Sequence, residues 1–227
     1  MLEKAIAVDS GAIVSVLVAA HRAAGLAEVL AGLPATTPVY AASQAAMNQV
    51  VGFPIHRGIL ALVRRPELAV GDLIAGLPPA GALVVGLVGI ANHDNMGGVF
   101  RNAAAFGAAG VLLDDSCCDP LYRKAIRVSV GATLTTPFAR AGAAAGMPDL
   151  LEAAGFEVAA LSPAGGTMLA DLRLGPRAAV LLGAEGPGLP PALLARVQTV
   201  RIPMVGGFDS LNVATASGIV LHHLSAR

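Results

Sequence analysis

The chain has 227 residues, enough for one large domain or two small ones, and 55% of them are hydrophobic. Fifteen basic and fifteen acidic residues give a formal net charge of zero, which argues against a generally basic nucleic-acid protein but leaves room for local basic patches. No apolar run reaches the roughly 18 residues of a membrane-spanning helix, and no signal peptide follows Met1. The two cysteines, Cys117 and Cys118, are adjacent, which suits neither a disulfide framework nor a zinc site. We therefore expect a protein of the reducing cytoplasm that needs neither membrane nor metal.

The first 65 residues alternate strand-like and helix-like runs, which predicts a small α/β unit. Strands are expected at 13–18, 37–40 and 58–63, and helices at 23–33 and 43–51. Ser43 suits the N-cap of the second of these helices. Because residues 2–7 begin inside what could be a helix, the natural protein is expected to have further N-terminal residues.

A larger unit is predicted beyond residue 81. Residues 66–81 contain three prolines and three glycines, and 77–81 have the composition of a linker, so the predicted domains are 1–76 and 82–227. In the second domain, strands at 83–90, 111–113, 157–161, 179–182 and 200–202 alternate with helices at 97–106, 122–128, 147–154, 190–197 and 211–224. This alternation predicts a parallel sheet covered on both faces. Ligands bind beyond the carboxyl ends of such strands, so the loops 91–97, 183–188 and 203–209 should converge at one edge.

Three segments near these loops carry polar groups. The first contains Asn95 and Gly97 and ends at Arg101, and the second, residues 183–189, contains Glu185. The third joins 202–204 to the run Ser210-Leu-Asn-Val213. Together they place backbone amides, a carboxylate, a hydroxyl, a carboxamide and a cation around one predicted pocket. Such a pocket could hold a small cofactor and position a nucleophile.

In order and spacing, over about 150 residues, these segments resemble the three signatures of the SpoU/TrmH-type RNA 2′-O-ribose methyltransferases of the SPOUT superfamily. Residues 1–76 look like the small substrate-binding domain that often accompanies this family, and residues 58–61, after His56, resemble its closing strand. Two positions depart from the pattern: His93 stands where proline is frequent, and Ala214 where serine is frequent. The histidine puts the turn before Asn95 in doubt. The alanine puts in doubt any role for a hydroxyl at position 214.

The resemblance implies an α/β fold, with a trefoil-knotted methyltransferase domain built on a parallel sheet after the small α/β domain. Periodicity alone would not suggest a knot, since knots are rare. The resemblance also implies S-adenosylmethionine bound in the knot, ribosomal or transfer RNA as substrate, and a homodimer whose active site draws on both subunits.

By position, the resemblance implies cofactor contacts from Gly183, Ile202, Met204 and Leu211, mainly through backbone groups. The implied catalytic residues are Asn95, Arg101, Glu185, Ser210 and Asn212. Arg101 matches the position proposed as proton acceptor, but a guanidinium rarely loses its proton, which favours orienting the ribose hydroxyl and an adjacent phosphate. Glu185 and Asn95 would then fix Arg101 or the ribose. Ser210 and Asn212 would begin the last helix, with Ser210 as a candidate N-cap, and close the pocket.

Two groups of basic residues are candidate phosphate contacts: Arg57, Arg64 and Arg65 in the first domain, and Arg123, Lys124 and Arg127 in the second. The alternative is that both are ordinary solvated faces, and the pair His222 and His223 is better explained as a solvated helix end than as a metal site. A catalytically silent RNA-binding module on the same fold is the rival function, disfavoured because every motif residue is present. A hydrolase or dehydrogenase lacks support, since the required G-x-S-x-G and G-x-G-x-x-G motifs are missing.

Overall fold

The computed structural model describes residues 1–206 and 210–225 and divides the chain into two compact units, Met1–Pro66 and a second that begins at Glu67. This division falls before the predicted linker at 77–81. The reason is a helix at Val70–Ala75, which the composition did not reveal. It buries Leu73 in the core of the second unit, where Leu77 is buried as well. Residues 67–81 therefore belong to the second unit in the structure.

The first unit is a three-stranded sheet with short helices, which is the small α/β unit that the sequence predicts. It consists of α1 (Leu2–Asp9), β1 (Ile13–Ala19), α2 (Ala27–Ala31), β2 (Val39–Ala42), α3 (Gln44–Val51) and β3 (Ile59–Val63). The central strand β1 runs parallel to β2 and antiparallel to β3. Ser43 caps α3 by accepting a hydrogen bond from the backbone N–H of Ala46 at 3.2 Å, as expected. The helix predicted at 23–33 is shorter and follows two 3₁₀ turns.

The second unit alternates strands and helices. Its elements are α4 (Val70–Ala75), β4 (Ala82–Val88), α5 (His93–Ala105), β5 (Gly110–Leu113), α6 (Arg123–Val128), α7 (Ala132–Thr135), β6 (Phe138–Arg140), α8 (Met147–Ala153), β7 (Glu157–Leu161), β8 (Thr167–Met168), β9 (Arg177–Gly183), α9 (Pro191–Leu194), β10 (Gln198–Arg201) and α10 (Val213–Ser225). The described residues form a seven-stranded sheet in the order β6-β5-β4-β9-β7-β10-β8. Every paired strand in it is parallel, which confirms the predicted fold class.

Both faces of this sheet are covered, because side chains alternate along each buried strand. In β4, Val85 and Leu87 enter a core shared with α5 and α10, whereas Val84 and Val88 enter a second core shared with α4 and α8. The near-continuous apolar run of β4 follows from this double burial.

The strand order places a reversal at the centre of the sheet. From β4 the chain moves outward through β5 and β6, while β9 pairs with the other side of β4, from Ala82 opposite Arg177 to Val88 opposite Gly183. The loops after β4 and β9 therefore begin side by side, where α/β sheets bind ligands. The trefoil knot implied by the resemblance stays a prediction.

Candidate active site

The helix that carries the first polar segment begins earlier than predicted. Asn92 caps α5, because its Oδ1 accepts hydrogen bonds from the backbone N–H groups of Asp94 at 2.7 Å and Asn95 at 3.4 Å. His93 is then the first helical residue, a position that also favours proline, so this departure leaves the turn intact. Asn95 consequently lies in the first turn of α5 and is only 8% exposed.

The last helix begins later than predicted, and its cap is Asn212. The Oδ1 of Asn212 accepts hydrogen bonds from the backbone N–H groups of Ala214 at 2.9 Å and Thr215 at 3.2 Å. Ser210, the expected cap, lies two residues before that position and is exposed. Because the cap uses only Oδ1, the Nδ2 of Asn212 can donate to other groups.

The Nδ2 of Asn212 links this residue to two other predicted catalytic residues. It donates to the Oδ1 of Asn95 at 2.8 Å and to Oε1 of Glu185 at 2.6 Å. We call Asn95, Glu185 and Asn212 the polar network. Its members follow β4, β9 and β10, so the structure brings three separate loops together at one edge of the sheet.

The loop that presents Glu185 is held by its own backbone. The N–H of Gly188 donates to the carbonyl of Ala184 at 3.0 Å, and these two residues form an isolated β-bridge. A Cβ at Gly183 would lie 2.4 Å from the carbonyl carbon of Gly188 and 2.5 Å from the nitrogen of Leu189. Gly183 is thus needed for closing this loop, whether or not it also contacts a cofactor.

Apolar side chains flank the network in the chain between β10 and α10. Ile202 and Met204 are partly buried, Leu211 is 39% exposed, and Val205 is 89% exposed. The predicted loop 203–209 includes Gly207 and Asp209, which lie outside the described residues, as does Phe208. The described part therefore exposes Val205 and Leu211, of which Leu211 immediately precedes Asn212, whereas Ile202 packs against the core.

Arg101 lies apart from the polar network of its own chain. It follows Asn95 by six residues, about 9 Å along the helix axis and on another face. Arg101 is exposed, and within residues 1–206 and 210–225 its guanidinium makes no hydrogen bond or ion pair. Within a single chain, Asn95 and Glu185 make hydrogen bonds to Asn212 and not to Arg101, and the alternative expectation, that they fix the ribose, stays a prediction.

Arg101 instead borders an open cavity of about 520 Å³ between α5 and α10. A Cβ at Gly98, which lines this cavity, would lie 2.6 Å from the Cβ of Ala214, so small residues allow the two helices to cross closely. Ala214 thus has a packing role where the resemblance would place a serine.

Asn102, which the sequence analysis missed, ties α5 to α10. Its Nδ2 donates to the carbonyl of Ala214 at 2.6 Å and to Oγ of Ser217 at 2.8 Å. Asn102 follows Asn95 by seven residues, which puts both on the same helical face. That spacing is the signal that could have identified it.

A second set of missed residues holds the loop between β4 and α5. Asp114 is 5% exposed, and its carboxylate accepts hydrogen bonds from the N–H of Gly89 at 3.1 Å and from Oγ of Ser116 at 2.6 Å. The Sγ of Cys117 accepts from the N–H of Ile90 at 3.4 Å, and burial raises the pKa of this thiol from 9.0 to about 12. Cys117 is therefore a neutral packing group, and both cysteines are free thiols.

The basic residues of α6 are exposed, which fits a phosphate contact and an ordinary solvated face equally well. Arg123, Lys124 and Arg127 lie within this helix, and the Nζ of Lys124 is 2.5 Å from a carboxylate oxygen of Asp94. This ion pair joins the start of α6 to the start of α5.

The basic residues of the first unit do not form one group. Arg57 precedes β3, whereas Arg64 and Arg65 follow it, and a strand of five residues separates them by about 17 Å. Arg57 is joined by Arg22, which the sequence analysis missed and whose Nη1 donates to the carbonyl of Arg57 at 3.0 Å. Arg64 donates to the carbonyl of Gly11 at 3.2 Å, at the other end of the sheet.

Neither a metal site nor a membrane span is found in the part of the chain that the structure describes. No group of three or more His, Cys, Asp and Glu side chains there could hold a metal ion, and no helix there is long and apolar enough to cross a membrane. His222 packs edge-on to Phe106 and His223 lies 3.3 Å from the carbonyl oxygen of Leu172, so this pair supports the packing of α10.

Comparison with known proteins identifies the family of the chain. Residues 82–222 match the sequence model of the SpoU rRNA methylase family. An uncharacterized tRNA/rRNA methyltransferase of Mycobacterium bovis is 42% identical over 209 residues, which cover 89% of this chain and 70% of that protein. An S-adenosylmethionine-bound rRNA methyltransferase from Sinorhizobium meliloti shares the fold, with a TM-score of 0.83 over 98% of this chain and 84% of that one at 24% identity. A crystal structure of an RNA 2′-O ribose methyltransferase is similar over 97% and 84% of the two chains, with a TM-score of 0.78 and 28% identity. The chain belongs to the SpoU rRNA methylase family.

Proposed function

We propose that this protein transfers a methyl group from S-adenosylmethionine to the 2′-hydroxyl of a ribose in ribosomal or transfer RNA. The observation that carries the proposal is the polar network, which unites the three signature loops beside the β4–β9 reversal. Family membership supports RNA methylation, and the 2′-O ribose methyltransferase among the similar structures supports the ribose as acceptor.

The residues at this edge fit S-adenosylmethionine. The cofactor combines a flat adenine, which needs apolar walls and backbone hydrogen bonds, with a charged amino-acid tail. Ile202, Met204 and Leu211 would supply the walls, together with the exposed side chain of Val205. The polar network would hold the loops around the cofactor in place, and Gly183 would keep the β9 loop closed.

When bound, S-adenosylmethionine supplies a methyl group on a positively charged sulfur, which suits a ribose oxygen as acceptor. The chain's own residues must then align the hydroxyl and stabilise the charge that develops on O2′ as its proton leaves. A guanidinium rarely loses its proton, so the side chain of Arg101 would orient the hydroxyl and bind the neighbouring phosphate. Glu185 is held at one carboxylate oxygen by Asn212, and its other oxygen would accept a hydrogen bond from a ribose hydroxyl.

We further propose that two copies of the chain complete the site. Arg101 lies about 9 Å along α5 from Asn95 and on another face, so one chain does not bring the cation to its own network. Arg101 instead borders the groove that Thr215 and Ile219 of α10 also line, and both of these residues are exposed, so this surface is open to a second chain. A partner seated on this groove would bring its polar network toward Arg101.

Methyl transfer to total RNA tests the proposed activity. The protein is incubated with S-adenosylmethionine labelled in the methyl group, and the RNA is then hydrolysed in alkali. A 2′-O-methyl group blocks cleavage of the following phosphodiester, because that cleavage needs a free 2′-hydroxyl. Label in alkali-resistant dinucleotides is the expected result. Label in mononucleotides alone would indicate base methylation and contradict the proposal, and RNA binding without any label would favour the silent module.

A further inference from the structure

A pair of aromatic rings, one of them exposed, lies at the same end of α5 as the proposed site. The rings of His93 and Tyr122 have centroids 4.3 Å apart and planes inclined by 42°. Tyr122 is 49% exposed, and neither ring belongs to a hydrophobic core cluster of the second unit. A large aromatic side chain held against another ring, with half its surface in solvent, is well placed to receive a flat ligand.

The surroundings of this pair suit a polyanion. Tyr122 immediately precedes α6, whose first turn contains Arg123 and Lys124 and no acidic residue. The nearby carboxylate of Asp94 is neutralised by the ion pair with Lys124 at 2.5 Å. Arg127 lies one helical turn after Arg123 and is also exposed, so the aromatic pair borders a positively charged surface.

The pair is also close to the polar network along the chain. His93 is the first residue of α5, and Asn95, two residues later in the same turn, accepts a hydrogen bond from Asn212. Two residues turn the helix by about 200°, so the rings and the network lie on different faces of the first turn of α5. A strand that passes this helix end with one nucleotide at the network would therefore bring the base of a neighbouring nucleotide toward the rings.

From these three observations we propose that His93 and Tyr122 form a stacking platform for an unpaired base of the RNA substrate. This inference rests on the proposed function and adds the substrate class: RNA that is single-stranded at the methylation site. In a duplex the faces of the bases are covered by their neighbours, whereas an unpaired base can stack on an aromatic side chain while its phosphates contact the basic residues.

The inference is tested with two short RNA probes, an oligouridine strand and an abasic strand of the same length. The wild-type protein should bind oligouridine more tightly than the abasic strand. Tyr122→Ala should weaken oligouridine binding by about 5- to 150-fold, the equivalent of about 1–3 kcal/mol for one stacked base, and leave abasic binding unchanged. Tyr122→Phe should preserve the preference, and Tyr122→Leu should lose it.

Two controls separate stacking from charge. Tyr40→Ala removes the chain's other tyrosine, which is 58% exposed in the first unit, and should leave the preference intact. Tyr122→Ala should keep the wild-type salt dependence of binding, whereas Arg127→Ala should flatten its log–log slope by about one unit.

The remaining outcomes overturn the platform without touching the proposed function. An undiminished base preference in Tyr122→Ala would exclude Tyr122 as the platform. A parallel loss of S-adenosylmethionine affinity in calorimetry would assign the rings to the cofactor, and a monomeric Tyr122→Ala would assign them to a subunit contact. Failure of the proposed function itself would instead appear as a wild-type protein that binds oligouridine but transfers no methyl group.

Discussion

Replacing Asn212 by aspartate separates the two tasks of this side chain. The Oδ1 of Asn212 caps α10, and an aspartate oxygen can take over that task. The Nδ2 donates to Asn95 and Glu185, and aspartate has no donor with which to replace it. The new carboxylate would also stand opposite the carboxylate of Glu185. Asn212→Asp is therefore expected to open the polar network while α10 stays capped.

The expected magnitude follows from these contacts. Losing the two hydrogen bonds of Nδ2 costs about 1 kcal/mol each, and two carboxylates about 4 Å apart in water repel each other by about 1 kcal/mol. If the loops must be joined for S-adenosylmethionine to bind, a loss of about 3 kcal/mol weakens its affinity about 150-fold. Asn212→Ala should lower the free energy of unfolding by about 1 kcal/mol more than Asn212→Asp does, because it also removes the cap.

Calorimetric titration with S-adenosylmethionine measures this effect. The double variant Asn212→Asp with Glu185→Gln should recover much of the affinity, since the glutamine amide can donate to the new carboxylate. Ser43→Ala is the matched control: it removes a helix cap in the first unit, at a similar cost in stability, and should leave affinity unchanged. Wild-type affinity in Asn212→Asp, or a double variant as weak as the single one, would refute the role assigned to the network.

Three further predictions concern catalysis, packing and pH. Arg101→Ala should lower methyl transfer at least 100-fold, as removal of a transition-state donor does, while cofactor affinity measured by calorimetry stays within about twofold of wild type; a parallel fall in affinity would move Arg101 to the cofactor pocket. Gly97→Ala should cost about 1–3 kcal/mol in urea denaturation, because its Cβ would lie 2.7 Å from the carbonyl oxygen of Ala125, and unchanged stability would show that α5 and α6 can separate freely. The thiol of Cys117 has a raised pKa in the folded state. The stability that this neutral thiol contributes is therefore complete below pH 9.0 and is lost as the pH rises toward about 12. Between pH 9 and 10, the free energy of unfolding of wild type should fall more steeply than that of Cys117→Ala, by up to about 1.4 kcal/mol per pH unit, and equal slopes would contradict that shift.

The long strands could be predicted because their burial leaves a visible pattern. The strand β4 is covered on both faces and has a nearly unbroken apolar sequence, and β7 was predicted at its observed bounds. The elements missed in the second unit are short: α4, α7, β6 and β8 have between two and six residues, too few for a period to emerge.

The start of α5 was predicted at Gly97, four residues late, because the N-cap that Asn92 provides was not recognised. Here Gly97 and Gly98 lie inside the helix, where a Cβ would meet α6 and α10 at 2.7 Å and 2.6 Å, respectively. With the helix started at His93, a turn of 100° per residue already separates Arg101 from Asn95. The separation of Arg101 from the polar network could thus have been predicted from the sequence, provided that the start of α5 was placed correctly.

The polar network itself could be predicted only in part. Motif order indicated which loops would meet, since parallel strands end at one edge. The contact between Asn212 and Asn95 joins residues 117 positions apart, and the dual use of Asn212 as cap and donor depends on the exact start of α10. Likewise, Arg57 and Arg64 are near in sequence, but the strand between them carries them to opposite ends of a sheet.

Complementation between two impaired variants, assayed at an S-adenosylmethionine concentration far below saturation, tests the central claim, a ribose methyltransferase whose site two chains complete. Arg101→Ala and Asn212→Asp are co-expressed with different tags, and the heterodimer that carries both tags is purified. If Arg101 of one chain serves the polar network of the other, one of its two sites is intact, and about half of the wild-type 2′-O-methylation should return. If each chain used its own arginine, both sites would carry a defect and the heterodimer would be as impaired as either variant alone, which would contradict the account.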